Sequence, residues 1–101
     1  MILAIKENQP VGFALYFYNF STFKGKKGLY LEDLYIKPNY RKKGIGNKMF
    51  DYLIQEAKSS NCGRMEWVCL EWNKPALDFY KGKKAIVLDD WKTLRLDESE
   101  F

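Results

Sequence analysis

The sequence predicts a mixed α/β domain with the element order β-β-β-α-β-α-β-β. Apolar runs rich in β-branched and aromatic residues, which are typical of strands, fill most of the chain before Pro38. From Gly44 the apolar residues recur at helical spacing instead, and Asn73 followed by Pro75 is a common way for a helix to begin. We therefore expect residues 29–72 to form a parallel strand-helix-strand unit with a right-handed crossover.

The front of the chain predicts a meander of three strands. Asn, Pro and Gly between the first two strands favour a turn, and "FKGKKG" is a polar hairpin connection before the third. Pro38 closes the third strand. The predicted elements are a strand at 1–7, a turn at 8–12, a strand at 11–20, a hairpin connection at 23–28 and a strand at 29–37.

The rest of the chain predicts two helices and three further strands. The long helix is amphipathic, and "SSNCG" ends it. The following strand, "MEWVCLEW", has the content of a central strand, and "AIVLDD" and "TLRLDE" form a closing pair. These elements are a helix at 43–60, a strand at 65–72, a helix at 75–83 and strands at 85–90 and 93–98.

Size and composition favour one globular domain over residues 1–101. Hydrophobic residues make up 47% of the 101 residues, which is enough for a packed core. No apolar run approaches the roughly 20 residues needed to cross a bilayer, and the start lacks the features of a secretory signal. We expect a cytoplasmic protein that binds no membrane. Two helices are few for strands with two apolar faces, so we also expect a homodimer.

The ionisable residues exclude several kinds of site. The chain has no histidine and only two cysteines, Cys62 and Cys69, which excludes Cys/His zinc sites and a histidine base, and we expect no metal. Reduced cysteines are favoured over a disulfide. The net charge of +4 permits nucleic-acid binding, but no recognition motif accompanies it, so we expect no nucleic-acid partner.

A basic corner with two glycines joins the third strand to the long helix. Five basic residues and no acidic residue lie between Leu34 and Phe50, and Gly44 and Gly46 stand among them. A helix N-terminus attracts anions, and glycines let a phosphate approach the backbone. A Walker loop is absent, and Met49 stands where a dinucleotide fingerprint needs a third glycine. A tight turn with a solvated basic rim explains the motif alone equally well; its position before a helix favours a pyrophosphate site.

Acidic residues and a tyrosine form two further candidate sets. Glu32 and Asp33 interrupt the apolar third strand, where charge is costly unless it is paired or lines a cavity. A cation-binding pocket is favoured over a core ion pair, although adjacent strand residues face opposite sides unless a bulge re-aims one. Glu71 adds an acid near the next strand. In the second helix the hydroxyl of Tyr80 lies on the buried side and needs a partner.

These stretches, in this order, resemble the GNAT superfamily of acetyl-CoA-dependent N-acetyltransferases, most closely its diamine (spermidine/spermine) acetyltransferase branch. The family's pyrophosphate loop, Arg/Gln-x-x-Gly-x-Gly/Ala, is matched by Arg41, Gly44 and Gly46. Its Asn-x-x-Ala-x-x-x-Tyr segment is matched at 73–80. The resemblance implies a GNAT-like mixed sheet that is N-terminally shortened, lacking the family's first strand and the helices after it. Lys84 stands where the family usually has glycine.

The resemblance also implies roles for individual residues. Tyr80 would protonate the departing thiolate, Glu32 would act as the base through a water, and Asp33, with Glu71, would hold a distal ammonium of the amine. Acetyl-CoA would be the cosubstrate, with its pantetheine arm between residues 29–37 and 64–72. The residues implied in cofactor binding are Leu34, Ile36, Arg41, Lys42, Lys43, Gly44, Ile45, Gly46, Asn47 and Asn73.

Three other functions compete with amine acetylation. The same fold could acetylate a protein N-terminus, a lysine or an aminoglycoside. A shortened domain could bind CoA or a partner chain without catalysis. Nucleic-acid binding ranks last, since the basic residues concentrate at the loop and hairpin rather than along one helix face.

Overall fold

The computed structural model describes residues 1–22 and 24–101 and divides the chain into two compact units, Met1–Val68 and Cys69–Phe101. Each unit is described by itself. The predicted hairpin connection at 23–28 includes Phe23, which lies outside the described residues. Among the helices in the described ranges, none has the length and apolar character needed to span a membrane.

The first unit is a four-stranded mixed sheet with one helix, which confirms the predicted α/β class. The strands lie in the order β1-β2-β3-β4, antiparallel for the first two pairs and parallel for the last. A long helix separates β3 from β4 in sequence, as predicted. The elements are β1 Ile2–Lys6, β2 Gln9–Ser21, β3 Lys26–Ile36, a 3-10 turn Pro38–Tyr40, α1 Ile45–Ser59 and β4 Arg64–Glu66.

The turn between β1 and β2 is earlier and tighter than the predicted turn at 8–12. Lys6 pairs with Gln9, so only Glu7 and Asn8 form the loop, with φ values of 52° and 65°. Two positive φ values define the hairpin turn whose twist matches that of the strands. Pro10 therefore lies inside β2, next to Val11, the extra residue of a bulge opposite Ala4 and Ile5, where a missing N–H is tolerated.

Helix α1 covers one face of the sheet and forms the core with it, as its predicted apolar stripe requires. Met49, Phe50 and Leu53 are its buried residues, and Leu53 has no exposed surface. The ring of Phe50 meets that of Trp67 edge-on, with centroids 5.0 Å apart. From the strands the core residues are Val11, Ala14, Leu29 and Leu31.

The last turn of α1 is tied to β2 by a small polar cluster. The hydroxyl of Tyr18 donates to Glu56 Oε1 at 2.8 Å and lies 3.1 Å from the hydroxyl of Ser60. Beside it, burial and the charge of Glu56 raise the pKa of Tyr16, so its phenol stays neutral. The cluster fixes the end of the helix away from the basic corner.

A bulge in β3 lies at Glu32. Leu31 pairs with Tyr16 and Asp33 with Leu15, so Glu32 is the extra residue. A bulge bends the strand and increases its twist. The β3–β4 ladder stops just before the bulge, with Tyr30 paired to Glu66. For this reason β4 is only Arg64–Glu66, and the predicted strand at 65–72 is wrong beyond residue 66.

The second unit holds one helix, α2 Lys74–Gly82, and a 3-10 turn Glu98–Glu100. The helix confirms the prediction for residues 75–83. The two closing strands predicted at 85–90 and 93–98 are absent. Alternating apolar residues indicate two faces, but a strand exists only where a neighbouring strand accepts its backbone hydrogen bonds, and no described residue does so here. Ile86 and Leu94 are instead 81% and 91% exposed.

Candidate functional site

The basic corner in the first unit folds into a left-handed bend before α1. Gly44 is the N-cap with φ 82°, a conformation that favours glycine, and Lys42 has φ 61°. The first helical hydrogen bond runs from Lys48 N to the Gly44 carbonyl, at 3.0 Å. The amides of Ile45, Gly46 and Asn47 therefore precede the helical ladder and remain available as donors.

The space over Gly46 is open. A Cβ atom built on Gly46 meets nothing within 4 Å, and no side chain caps the N-terminus of α1. The first turn also contains no acidic residue, although acids are commonly favoured there. Open space, free amides and surrounding basic side chains together fit an anionic group such as a pyrophosphate.

Arg41 is anchored to the end of β3 rather than extended over the helix start. Its Nε donates to the Ile36 carbonyl at 2.8 Å, and its guanidinium lies 5.5 Å from the ring centre of Tyr35. Lys43 lies similarly over Tyr40, with Nζ 5.8 Å from the ring centre. Arg41 thus holds the entry to the bend, and its other guanidinium nitrogens retain donor capacity.

The edge of β3 beside the bend lacks a strand partner on its β4 side. Leu34 and Ile36 lie past the last β3–β4 pair, and within the described residues of this unit no strand continues the ladder there. Both residues pair with β2 on the other side, Leu34 with Ala14 and Ile36 with Gly12. The carbonyl of Ile36 already accepts a hydrogen bond from Arg41 Nε. One of the backbone groups predicted to contact the pantetheine arm is therefore already occupied.

The two acidic residues of β3 lie at the bulge and are exposed. The expectation that they occupy a cavity is therefore not met within the first unit. Asp33 pairs with Leu15, on the face away from α1. The same face carries Tyr30 and Tyr35, whose rings lie 5.2 Å from Phe17 and 5.9 Å from Phe13 respectively, measured between centroids. Asp33 is thus an exposed carboxylate on an aromatic face.

Tyr80 lies half-buried on α2 in the second unit. Its ring meets Phe79 edge-on at 5.5 Å, and its carbonyl accepts from Ala85 N at 3.1 Å. Burial, and secondarily the proximity of Cys69, raise the pKa of the Tyr80 phenol. The phenol therefore stays protonated at neutral pH, which suits a proton donor and not a base.

Asn73 begins α2, as predicted for an N-cap. Its Oδ1 accepts from Ala76 N at 3.3 Å. That bond occupies the carbonyl end of the side chain and leaves the amide nitrogen for other partners. Glu71, also predicted in the site, is exposed just before it.

The cap bond leads to a stability prediction. We expect Asn73→Ala to lower the free energy of unfolding by about 1 kcal/mol, because Ala76 N loses its acceptor. Urea denaturation followed by circular dichroism measures this change. Asn73→Asp, which retains an acceptor oxygen, is the matched control and should stay within a few tenths of a kcal/mol of the original chain. Equal loss in both variants would contradict the capping role.

Lys84, which replaces the family's usual glycine, takes a left-handed conformation with φ 69°. Glycine adopts this left-handed conformation without strain, which gives a physical reason for the family's usual glycine at this position. Gly82, two residues earlier, has no such conformation and lies at the end of α2.

The structure groups the predicted residues by unit. The first unit brings the carboxylates of β3, the strand edge at 34–36 and the bend at 41–47 into one continuous stretch. The second places Glu71, Asn73 and Tyr80 on and beside α2. The sequence did not identify Tyr35, whose ring lies beside the Arg41 guanidinium, or Cys69, whose proximity helps to raise the pKa of Tyr80. In the described ranges no cluster of metal-ligating side chains occurs.

The sequence profile of the acetyltransferase (GNAT) family matches residues 1–83, which include the bend and the Asn73–Tyr80 segment. The chain belongs to the GNAT family. Among curated relatives, the L-ornithine N5-acetyltransferase NATA1 of Arabidopsis thaliana is 36% identical over 85 residues, which are 84% of this chain and 37% of the relative. The thialysine N-epsilon-acetyltransferase of Bos taurus is 39% identical over 90 residues, 86% of this chain and 52% of the relative.

A solved structure shares this fold over nearly the whole chain. An integron cassette protein from the mobile metagenome of V. cholerae superposes with a TM-score of 0.89 at 28% identity, covering 97% of this chain and 60% of that protein. This GNAT chain therefore spans about half the length, or less, of these two curated relatives and under two thirds of the solved neighbour.

Proposed function

We propose that this GNAT chain is an acetyl-CoA-dependent N-acetyltransferase that transfers acetyl to a primary amine of a diamine or polyamine by direct attack. The observation that carries the proposal is the open, basic bend at residues 41–47, in which the amides of Ile45, Gly46 and Asn47 are available to bind an anion. Acetyl-CoA supplies the activated acetyl group and carries the pyrophosphate that such a bend binds. Family membership favours this ligand over other anions.

Cofactor binding is assigned to the bend and the neighbouring strand edge. The amides from Lys42 to Asn47 hold the pyrophosphate, and Lys42 and Lys43 add charge. The unpartnered side of β3 at Leu34 and Ile36, with the amide of Asn73, binds the pantetheine arm. Arg41 positions this region through its bond to Ile36.

Glu32 is the proposed base. An alkylammonium has a pKa near that of lysine, roughly 10.4, so a proton must leave before the nitrogen attacks. Glu32 stands at the bulge, exposed to water, and β3 does not use its side chain in the core. It takes the proton through a bound water.

Tyr80 is the proposed acid. Burial keeps its phenol protonated, so the hydroxyl donates a proton or a hydrogen bond to the sulfur that leaves as the acetyl group moves to the amine. A direct transfer requires no covalent enzyme intermediate, in keeping with the absence of an activated nucleophile among the assigned residues.

Asp33 binds the second cationic group of the acceptor, with Glu71 as a further candidate. The carboxylate lies on the same sheet face as Tyr30 and Tyr35, and aromatic rings add to the attraction for an ammonium. Two relatives are named for acetylating an amine of ornithine or thialysine, small amino acids that carry two amino groups. This favours a small acceptor with two amines.

Calorimetric titration with acetyl-CoA, followed by a thiol-release assay, tests the proposal. We expect binding with one site per chain and turnover with spermidine, spermine or simple diamines. Binding without thiol release on any amine would instead support the second candidate, a shortened domain that binds CoA without catalysis. We also propose that the protein acts in the cytoplasm and forms a homodimer.

The two carboxylates of β3 should differ in their kinetic effects. We expect Glu32→Gln to lower kcat by about 10²-fold with little change in KM for the amine, as for loss of a general base. Asp33→Asn should raise the KM for the amine and leave kcat nearly unchanged, because the proposed contact with the distal ammonium is equally strong in the bound substrate and the transition state. Both are isosteric changes at exposed positions, so each controls for the other. An unchanged kcat in Glu32→Gln would remove this base from the mechanism.

A further inference from the structure

The carbonyl of Ile36 points out of the open edge of β3. Lys37 N donates to the Val11 carbonyl of β2 at 2.8 Å, so the backbone of residue 37 faces β2. In an antiparallel pair, residues bonded to the partner strand alternate with residues whose polar groups point the other way. Ile36 therefore directs its N–H and C=O away from β2, to the side where the β3–β4 ladder has already ended.

Arg41 takes this carbonyl with its side chain. Its Nε donates to Ile36 O at 2.8 Å, across the 3-10 turn Pro38–Tyr40. Its backbone N–H closes the same turn by donating to Pro38 O at 3.3 Å. Both the main chain and the side chain of Arg41 are thus tied to the end of β3, directly before the bend. The separation between the strand edge and the bend is set at this residue.

The ring of Tyr35 supports the Arg41 guanidinium. The guanidinium carbon lies 5.5 Å from the ring centre, within the range in which a cation is attracted to an aromatic face. The ring is itself held by Phe13, with centroids 5.9 Å apart and the planes tilted by 35°. Tyr35 and Phe13 are register partners in the β2–β3 ladder. The support for Arg41 is therefore built on the sheet and not on a loop.

An arginine in this position needs such support. The bond to the Ile36 carbonyl is exposed, so water competes for both of its partners. Holding a long side chain in one conformation also costs rotamer entropy. The contact with the Tyr35 ring offsets part of that cost and raises the fraction of time that Nε spends on the carbonyl.

We propose that Tyr35 is a positioning residue of the cofactor site and acts through Arg41. The inference rests on the proposed function, in which the strand edge binds the pantetheine arm of CoA and the bend binds its pyrophosphate. These two parts of CoA are covalently joined, so they bind together only when edge and bend are correctly spaced. By fixing Arg41 on Ile36, the ring organises that spacing in advance of binding. The Tyr35 hydroxyl takes no part.

Calorimetric titration with CoA, in the absence of any amine, tests this role. We expect Tyr35→Leu to weaken CoA binding about fivefold, as for loss of an exposed cation–ring contact, and Tyr35→Phe to stay within about twofold of the original chain. Leaving out the amine removes any effect of the ring on the acceptor. Unchanged affinity in Tyr35→Leu, or equal loss in Tyr35→Phe, would overturn the inference.

Phe17→Leu is the matched control. It removes another exposed ring of the same sheet face, one that packs on Tyr30 and has no assigned part in the site. The control should bind CoA as the original chain does, and thermal unfolding curves should show both leucine variants folded. A fivefold loss in Phe17→Leu as well would assign the effect to the sheet in general and would contradict a specific role for Tyr35.

A double-mutant cycle tests whether Tyr35 acts through Arg41. Arg41→Met removes Nε and the charge but keeps a long side chain. In this background Tyr35→Leu should change CoA affinity by less than about twofold, because the partner of the ring is already gone. A loss of about fivefold that persists without Arg41 would show that the ring acts by another route and would overturn the inference.

Hydrogen exchange at Arg41 Nε, followed by ¹⁵N NMR on the chain without CoA, separates this inference from the proposed function. Exchange should be about fivefold faster in Tyr35→Leu than in the original chain and in Tyr35→Phe. Equal exchange in all three chains, with CoA still bound, would overturn the role of Tyr35 alone. An original chain that binds no CoA would overturn the proposed function, and with it the cofactor role of this ring.

Discussion

We expect Tyr80→Phe to lower the acetylation rate by about 10²-fold or more while the dissociation constant for CoA changes little, as for loss of a general acid. The substitution removes one hydroxyl and keeps the ring that meets Phe79. The proposed acid must be protonated to act, and burial raises the pKa of the Tyr80 phenol. The part of the rate that depends on Tyr80 should therefore persist through neutral pH and fall only at pH values above the ordinary pKa of tyrosine. Stopped-flow thiol release at several pH values, with calorimetric CoA binding, measures both quantities.

Tyr52→Phe is the matched control for Tyr80→Phe. Tyr52 is an exposed tyrosine of α1, and its hydroxyl has no assigned part in the reaction. The control should retain the original rate and pH profile. Equal rates in the Tyr80 variant and the original chain would remove the phenol from the mechanism and leave Tyr80 as a packing residue of α2.

The second large effect is expected at the bend. Gly46→Glu should weaken CoA binding by at least about 100-fold, since the carboxylate occupies the space of the phosphates and repels them. The fold should survive, because a side chain at Gly46 meets nothing within 4 Å and the residue has no positive φ. Calorimetry with CoA, together with a thermal unfolding curve, separates lost binding from lost structure.

Gly82→Glu makes the matching charge change at another helical glycine with open space around it. It should bind CoA as the original chain does. Gly44→Glu is less informative, since Gly44 has φ 82° and a side chain there strains the backbone. Retained CoA affinity in Gly46→Glu would exclude the bend as the pyrophosphate site.

The periodic parts of the fold were predictable, and the pairing-dependent parts were not. The stripe of α1 and the Asn73 cap follow from local rules, and both are confirmed. The lengths of β4 and of the closing strands depend on which backbone lies alongside, and a single sequence does not specify that. The closing segments keep strand-like patterns without a ladder, so their alternation predicted strands that the structure lacks.

The bulge in β3 has a signal in the sequence, because the apolar positions on the helix side change from odd to even numbers. Leu29 and Leu31 are buried at odd positions, whereas Leu34 and Ile36, on the same side, are at even positions. Such a change of parity within one strand is what an extra residue produces. The anchoring of Arg41 onto Tyr35 had no comparable sequence signal, since it depends on the path of the chain through the 3-10 turn.

Glu32, the extra residue of β3, is not needed for the alternation of the strand's two faces. A chain lacking position 32 would run directly from Leu31 to Asp33 and would still place Leu34 and Ile36 on the helix side. The alternation of buried and exposed residues in β3 thus does not require Glu32, the proposed base. The side chain at position 32 can therefore change without moving Leu34 or Ile36 to the other face of the sheet.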